Sequence, residues 1–166
     1  MPPLISIVGK SKSGKTTLIE GLISELRSRG YRVATIKHAA SKLTLDKPGK
    51  DSWRHIQAGS QATVIISPNQ SMLLKPIHQE LGLDEVARLL GDDYDIILAE
   101  GFKQSAVPKI EVHRRAAGAI LRGITNLIAI ATDEPLQTGA RQFSLHDVKG
   151  LADLLENSFL KNQREI

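Results

Sequence analysis

The chain has 166 residues, of which 41% are hydrophobic, 24% are charged and none is cysteine. This length and composition are typical of one soluble globular domain, and the lack of cysteine excludes disulfides, thiolate nucleophiles and cysteine-ligated metals. The formal net charge of +4 favours anionic ligands, but aromatic residues make up only 4% of the chain, so we expect no nucleic acid partner.

Neither a membrane span nor a targeting segment is predicted. No apolar run approaches the roughly 20 residues that cross a bilayer, and no apolar leader precedes the first strand. We therefore expect no membrane association and a cytoplasmic location.

The first half of the chain alternates predicted strands and helices. An apolar run at residues 4–8 predicts a buried strand, and an apolar stripe over residues 16–29 predicts a helix that ends before Gly30. Further strands are predicted at residues 31–37, 61–67 and 71–75. A short helix is predicted at residues 51–59, capped by Asp51 or Ser52.

The second half continues the alternation. Residues 83–90 predict a helix, residues 94–99 and 126–131 buried strands, and residues 144–159 a closing helix with Ser144 and Asp147 as a capping pair. Residues 109–113 predict an edge strand, because polar and apolar residues alternate there. The strand–loop–helix–strand order favours an α/β fold: a mainly parallel β-sheet flanked by helices, in one domain over residues 1–160, with a frayed tail at residues 161–166.

Residues 9–16 match the G-x-x-x-x-G-K-[ST] phosphate-binding loop, between a predicted strand and a predicted helix. The glycines let the backbone curl so that its N–H groups point at a polyphosphate, and the helix that follows turns its positive end toward the same place. Lys15 supplies a charge near the phosphates, and the Thr16 hydroxyl suits Mg²⁺. The predicted nucleotide-binding residues here are Gly9, Lys10, Ser11, Lys12, Ser13, Gly14, Lys15, Thr16 and Thr17.

Glu100 follows an apolar strand and precedes Gly101. Phosphate-loop NTPases place the carboxylate that orders the Mg²⁺ shell at this position. We therefore expect Lys15 and Glu100 to be the catalytic residues, and Thr16 and Glu100 to be the metal site.

Two further groups of residues leave their role open. Lys37 and His38 end the second predicted strand, at the edge where the loop lies, and are as easily solvated charges. The tight turn with Asp46, Pro48, Gly49, Lys50 and Asp51 either clamps a phosphate or is a loop of solvated charges.

Thr132 and Asp133 follow the last predicted buried strand. A carboxylate at this position can accept hydrogen bonds from both the ring N–H and the exocyclic amine of guanine, which would favour GTP over ATP. A turn aspartate before Pro135 is the alternative.

Several of these segments resemble the MobB family, the adaptor GTPases of molybdopterin guanine dinucleotide biosynthesis. The resemblance is carried by the loop at residues 9–16 with the following 16–19, by the runs at residues 36–38 and 46–55, and by residues 100–103 followed by 108–110. It covers roughly residues 5–112, with a looser match through Asp133.

The resemblance implies a homodimer that binds GTP with Mg²⁺, hydrolyses it weakly and assists the nucleotidyltransferase that joins GMP to molybdopterin. It places Asp46 and residues 48–52 in a loop near the nucleotide, and it makes Glu100 the carboxylate on the Mg²⁺ side. In the related MinD-like branch, the lysine that follows the first loop glycine reaches the nucleotide of the partner subunit, and Lys10 occupies that position. Ala39, Ala40 and Ser41 depart from the family, which usually carries acidic or histidine residues there.

The residues leave rival functions open. The basic charge and the lysines at 47 and 50 fit an acidic pterin phosphate, such as molybdopterin itself, as well as an acidic partner surface. A small-molecule kinase that uses ATP would share the same loop. No glutamine or second carboxylate is in place to orient an attacking water, so slow hydrolysis is expected; Arg54, Arg114, Arg115 or a partner would have to supply a transition-state arginine.

Overall fold

A computed structural model describes residues 1–39 and 48–161 of the chain. The chain divides into two compact units, one formed by Met1–His38 and Gly82–Ile166 and the other by Ala39–Leu81. Each unit has its own sheet, so each is described by itself.

The larger unit is built on a six-stranded sheet in which every strand pairs parallel to its neighbours. The strands lie in the order β2-β5-β1-β6-β7-β8. Their bounds are β1 Leu4–Val8, β2 Val33–Lys37, β5 Ile96–Glu100, β6 Lys109–His113, β7 Leu127–Thr132 and β8 Gln142–Ser144. Since all strands run the same way, the residues that follow β1, β5, β6 and β7 gather at one edge of the sheet.

Helices cover both faces of this sheet. Helices α1 (Lys15–Ser28) and α4 (Val148–Leu155) pack together over one face, and their leucines join the inward side chains of β1, β5, β6 and β7 in the main core. Helix α3 (Leu83–Leu90) covers the other face near β2, with Leu83 and Ala87 in a second core. The α/β fold with a parallel sheet flanked by helices, predicted from the sequence, is confirmed.

The prediction that residues 109–113 form an edge strand is wrong. β6 lies between β1 and β7, and all five of its residues are buried. Ile110 and Val112 face the main core, whereas Lys109, Glu111 and His113 alternate with them. Polar residues are tolerated there because backbone groups of residues 105–125 and the Glu134 carboxylate supply their hydrogen bonds.

Lys109 is fully buried, and its Nζ donates hydrogen bonds to the carbonyls of Ser105, Val107 and Thr125. Burial lowers the pKa of this ammonium. Glu111 Oε1 accepts a hydrogen bond from the N–H of Leu121 at 2.7 Å, and burial raises the pKa of the Glu111 carboxyl. The second Glu111 oxygen, Oε2, is buried and has no hydrogen-bond partner among the described residues.

Helix ends and short strands also differ from the predictions. Lys50 is the N-cap residue of α2 (Asp51–Gln57), and neither Asp51 nor Ser52 caps it. The closing helix begins after Asp147, whose carboxylate accepts a hydrogen bond from the N–H of Gly150, because Ser144 ends β8, a strand that was not predicted. A π-helical turn, Glu156–Leu160, extends α4.

The Ala39–Leu81 unit contains α2 and a two-stranded antiparallel sheet of β3 (Thr63–Ile66) and β4 (Ser71–Leu74). The third predicted strand therefore belongs to this hairpin and not to the parallel sheet. The hairpin exposes several large apolar side chains: Val64, Ile65, Ile66, Met72 and Leu73. In the part of the chain that the structure describes, no helix is long and apolar enough to cross a membrane.

Candidate functional site

The glycine-rich loop, residues 9–16, connects β1 to α1 at the carboxyl edge of the sheet. Gly9 has φ +149°, and a Cβ on it would lie 2.4 Å from the carbonyl oxygen of Val112 on β6. Gly14 is the left-handed N-cap of α1, with φ +104°. Both glycines are therefore required by conformation, and Gly9 also by its close approach to the neighbouring strand.

The Lys15 side chain folds back over this loop. Its Nζ donates hydrogen bonds to the carbonyls of Gly9 at 3.1 Å and of Lys10 at 2.8 Å. The ammonium thus joins the end of the loop to its beginning. A bound polyphosphate would meet this charge beside the first turn of α1, where the helix dipole is also positive.

Thr16 and Glu100 converge beside Lys15. The Thr16 hydroxyl donates to Glu100 Oε2 at 3.3 Å, and Lys37 Nζ lies 3.5 Å from the same oxygen. Glu100 is the last residue of β5 and Lys37 the last of β2, its register partner in the neighbouring strand. A hydroxyl and a carboxylate oxygen are hard ligands of the kind Mg²⁺ takes, while phosphates and water complete its shell. The residues present therefore fit a magnesium site.

The loop residues differ in whether they line a cleft, are exposed elsewhere or are buried. A cleft of about 360 Å³ is lined by Ser11, Lys12, Gly14, Lys15, Thr16 and Glu100. Lys10 and Thr17 are exposed, whereas the Ser13 side chain is buried and its hydroxyl has no partner among the described residues. Ser13 thus offers a ligand its backbone and not its hydroxyl.

Arg114 braces the loop from outside. Its Nε donates to the carbonyl of Ser13 at 3.3 Å. In a trans peptide the Ser13 carbonyl and the Gly14 N–H point in opposite directions, so the guanidinium lies on the side away from that N–H. In this conformation the Arg114 side chain supports the loop through the loop's own backbone.

Thr132 and Asp133 lie at the same edge of the sheet, after β7. Thr132 is buried, and its Oγ1 accepts from the Glu134 N–H at 3.2 Å and donates to the Glu134 carbonyl at 2.9 Å. Asp133 is exposed, and its Oδ1 accepts from the Arg115 N–H at 2.8 Å. Among the described residues no group hydrogen-bonds to Asp133 Oδ2, so this oxygen can accept from a ligand.

The other predicted residues belong to the second unit or lie outside the described residues. Pro48, Gly49, Lys50 and Asp51 belong to the Ala39–Leu81 unit, and Asp46 lies outside the described residues. Within that unit Lys50 and Asp51, with α2 residues and the hairpin, line a separate cleft of about 530 Å³. We place the candidate site at the smaller cleft because loop amides, an ammonium, a hydroxyl and a carboxylate converge there.

Glu111, His113 and Glu134 lie beside the site and were not predicted as site residues. His113 Nε2 lies 2.9 Å from Glu134 Oε1, and Arg115 Nε lies 3.6 Å from Glu134 Oε2. The alternation of polar residues in β6 was the available signal, but it was attributed to an exposed edge.

Comparison of the sequence with known proteins identifies a family. The model of the family described as "MobB: Molybdopterin guanine dinucleotide synthesis protein B" matches residues 4–133. The molybdopterin-guanine dinucleotide biosynthesis adapter protein of Haemophilus influenzae is 38% identical over 157 residues, which cover 93% of this chain and 88% of that protein. The Escherichia coli protein of the same name is 37% identical over 161 residues, with 93% and 92% covered.

Solved structures show the same likeness. The crystal structure of Bacillus subtilis MobB superposes with a TM-score of 0.74 at 26% identity, covering 95% of this chain and 98% of that one. A crystal structure of a molybdopterin-guanine biosynthesis protein B superposes with a TM-score of 0.72 at 28% identity, covering 93% and 98%. Since the family model spans most of the chain and two relatives match nearly their full length, the chain belongs to the MobB family, that of molybdopterin guanine dinucleotide synthesis protein B.

Proposed function

We propose that this protein is a GTP-binding, weakly hydrolysing adaptor in molybdopterin guanine dinucleotide biosynthesis. The observation that carries the proposal is the convergence of Lys15, Thr16 and Glu100 beside the glycine-rich loop. The relatives are named as adapter proteins of this biosynthesis, and we infer the process from those names.

Different residues of the site would bind different parts of the nucleotide. The loop amides and Lys15 hold the phosphates, and Thr16 and Glu100 hold Mg²⁺, which would neutralise phosphate charge when bound. Asp133 selects guanine. Hydrolysis is slow because a missing transition-state arginine costs ~10³–10⁵ in rate, and Arg114 is engaged on the outer side of the loop.

Nucleotide titration with Mg²⁺ tests this site. We expect GTP to bind more tightly than ATP, and Lys15→Ala and Thr16→Val to weaken GTP binding. Lys149→Ala removes an exposed lysine of α4 and should change nothing. ATP preference with phosphate transfer to a small metabolite would instead identify the alternative, a kinase.

The adaptor role requires a partner enzyme. We expect the protein to bind the nucleotidyltransferase that joins GMP to molybdopterin and to raise its yield of the dinucleotide in a purified system. Lys15→Ala should bind the enzyme but raise the yield less. No interaction in a pull-down and no change in yield would contradict the adaptor role.

A homodimer is the quaternary state that fits the apolar hairpin. An isolated two-stranded sheet is marginally stable, and β3–β4 exposes Ile66 at 77% and Leu73 at 49%. A second copy would cover these side chains. We expect Leu73→Asp to dissociate the dimer in sedimentation experiments, whereas Leu89→Asp, on α3 and 55% exposed in the wild type, should not. A wild-type monomer at all concentrations would refute the dimer.

A further inference from the structure

The turn that carries Asp133 is held in place at each of its three residues. Thr132 closes the turn through its two hydrogen bonds to the backbone of Glu134. Asp133 Oδ1 accepts from the backbone N–H of Arg115 at 2.8 Å. Glu134 contacts His113 at 2.9 Å and Arg115 at 3.6 Å through its two carboxylate oxygens.

In the part of the chain that the structure describes, the Asp133 and Glu134 side chains make their contacts outside the turn with two residues at and just after the end of β6, His113 and Arg115. His113 is 4% exposed, so the group that meets Glu134 is fixed by the core around it. An ionised carboxylate only accepts hydrogen bonds, so the His113 ring N–H is the donor to Glu134. Arg115 contributes both its backbone N–H and its guanidinium.

Arg114, which lies between His113 and Arg115, contacts the glycine-rich loop. Arg114 Nε donates to the Ser13 carbonyl of the glycine-rich loop at 3.3 Å, and its terminal nitrogen lies 3.5 Å from the position a Cβ on Gly14 would take. Residues 113–115 therefore contact the phosphate side of the site through their middle member and the Asp133 turn through the outer two.

We propose that His113, Glu134 and Arg115 are positioning residues that set the preference for guanine, by fixing the Asp133 carboxylate relative to the glycine-rich loop. The inference rests on the proposed function, in which Asp133 reads the base and the loop holds the phosphates. It adds that the selectivity depends on side chains that do not touch the nucleotide.

The physical reason lies in the geometry of the base contact. Guanine presents two adjacent N–H donors, and a carboxylate accepts both only when its plane and distance match them. Adenine presents no such pair of donors to Asp133. Loosening the turn should therefore weaken guanine nucleotides and leave adenine nucleotides unaffected, whereas loosening the loop should weaken both.

Glu134→Ala is the test variant, because Glu134 lies on a surface turn and is 30% exposed. The affinities of GDP and ADP are measured by calorimetry in the presence of Mg²⁺. We expect GDP affinity to fall about tenfold, the loss typical of a hydrogen bond to a charged group, and ADP affinity to stay within about twofold. Glu134→Gln, which keeps an oxygen for the His113 N–H, should recover part of the loss.

Two further variants make the result specific. Arg114→Ala should weaken GDP and ADP by the same factor, since it supports the phosphate side. Asp153→Ala removes the carboxylate of a different arginine ion pair, with Arg29 at 2.7 Å, and should alter neither affinity.

Equal losses of GDP and ADP affinity in Glu134→Ala would overturn the inference, because the turn would then be general scaffolding. Unchanged GDP affinity would overturn it as well. A wild-type protein that binds GDP and ADP equally would refute the guanine selection of the proposed function. Because this result concerns the wild type, it is distinguishable from the two results for Glu134→Ala.

Discussion

Replacing Gly9 by alanine tests the close packing of the glycine-rich loop against β6. The added Cβ would lie 2.4 Å from the Val112 carbonyl oxygen and 2.7 Å from Ser13 Oγ, at a backbone φ of +149°. A positive φ costs an L-residue about 1–2 kcal/mol, and forcing an extra carbon into a packed site typically costs about 1–3 kcal/mol. We therefore expect the free energy of unfolding to fall by about 2–5 kcal/mol.

Gly123→Ala is the matched control, because Gly123 has φ +69° and, apart from its chain neighbours, no atom of the described residues lies within 4 Å of its Cβ position. It carries the conformational cost alone, about 1–2 kcal/mol. Urea unfolding monitored by circular dichroism measures both variants, and a GDP titration should show weakened binding only in Gly9→Ala. The reasoning fails if Gly9→Ala is no more destabilising than Gly123→Ala.

Three predictions concern buried or paired charges near the sheet. Burial raises the pKa of the Glu111 carboxyl in the folded protein above its value of about 4.3 in the unfolded chain. The protonated carboxyl therefore contributes stability that is fully present below the unfolded pKa. This stability is lost as the pH rises through the pKa of the folded state. Glu111→Gln should therefore have a higher urea midpoint than wild type at pH 8 but not at pH 4; a lower midpoint at pH 8 would contradict this. Lys109→Met leaves the partly buried carbonyls of Ser105, Val107 and Thr125 without their donor and should lower the free energy of unfolding by about 2–3 kcal/mol, whereas Lys103→Met, at an exposed position, should not. Lys37→Met removes a cation 3.5 Å from Glu100 and should lower the Mg²⁺ concentration needed for GTP binding by up to about fivefold; a higher requirement would show that Lys37 binds the phosphates instead.

The parts of the fold that the sequence predicted depend on local patterns. β1 is a continuous apolar run, the glycines at 9 and 14 mark a turn with positive φ, and Glu100 ends an apolar strand. Each signal lies within a few residues, so the loop, α1 and the position of Glu100 were predictable without tertiary information.

The parts that were mispredicted depend on distant partners. β6 alternates like an edge strand, yet its polar side is buried because Glu111 reaches Leu121 and His113 reaches Glu134. β8 is only three residues long and exists through its pairing with β7. The closing helix, predicted to begin at Ser144, therefore begins at Val148, with Asp147 as its N-cap. No local pattern encodes these contacts, and the role of the 113–115 segment was hidden for the same reason.

The strand order also has a consequence for the order in which the protein folds during synthesis. β1 leaves the ribosome before β5 and β6, yet these two later strands are its partners in the sheet. The hairpin β3–β4, by contrast, pairs within a short stretch such as Thr63 with Leu74. Because a non-local pairing must wait for its partner strand, the glycine-rich loop is made early and gains its support against Val112 only after β6 has been translated. A chain interrupted before β6 would therefore carry the complete sequence of the glycine-rich loop without the strand that supports it.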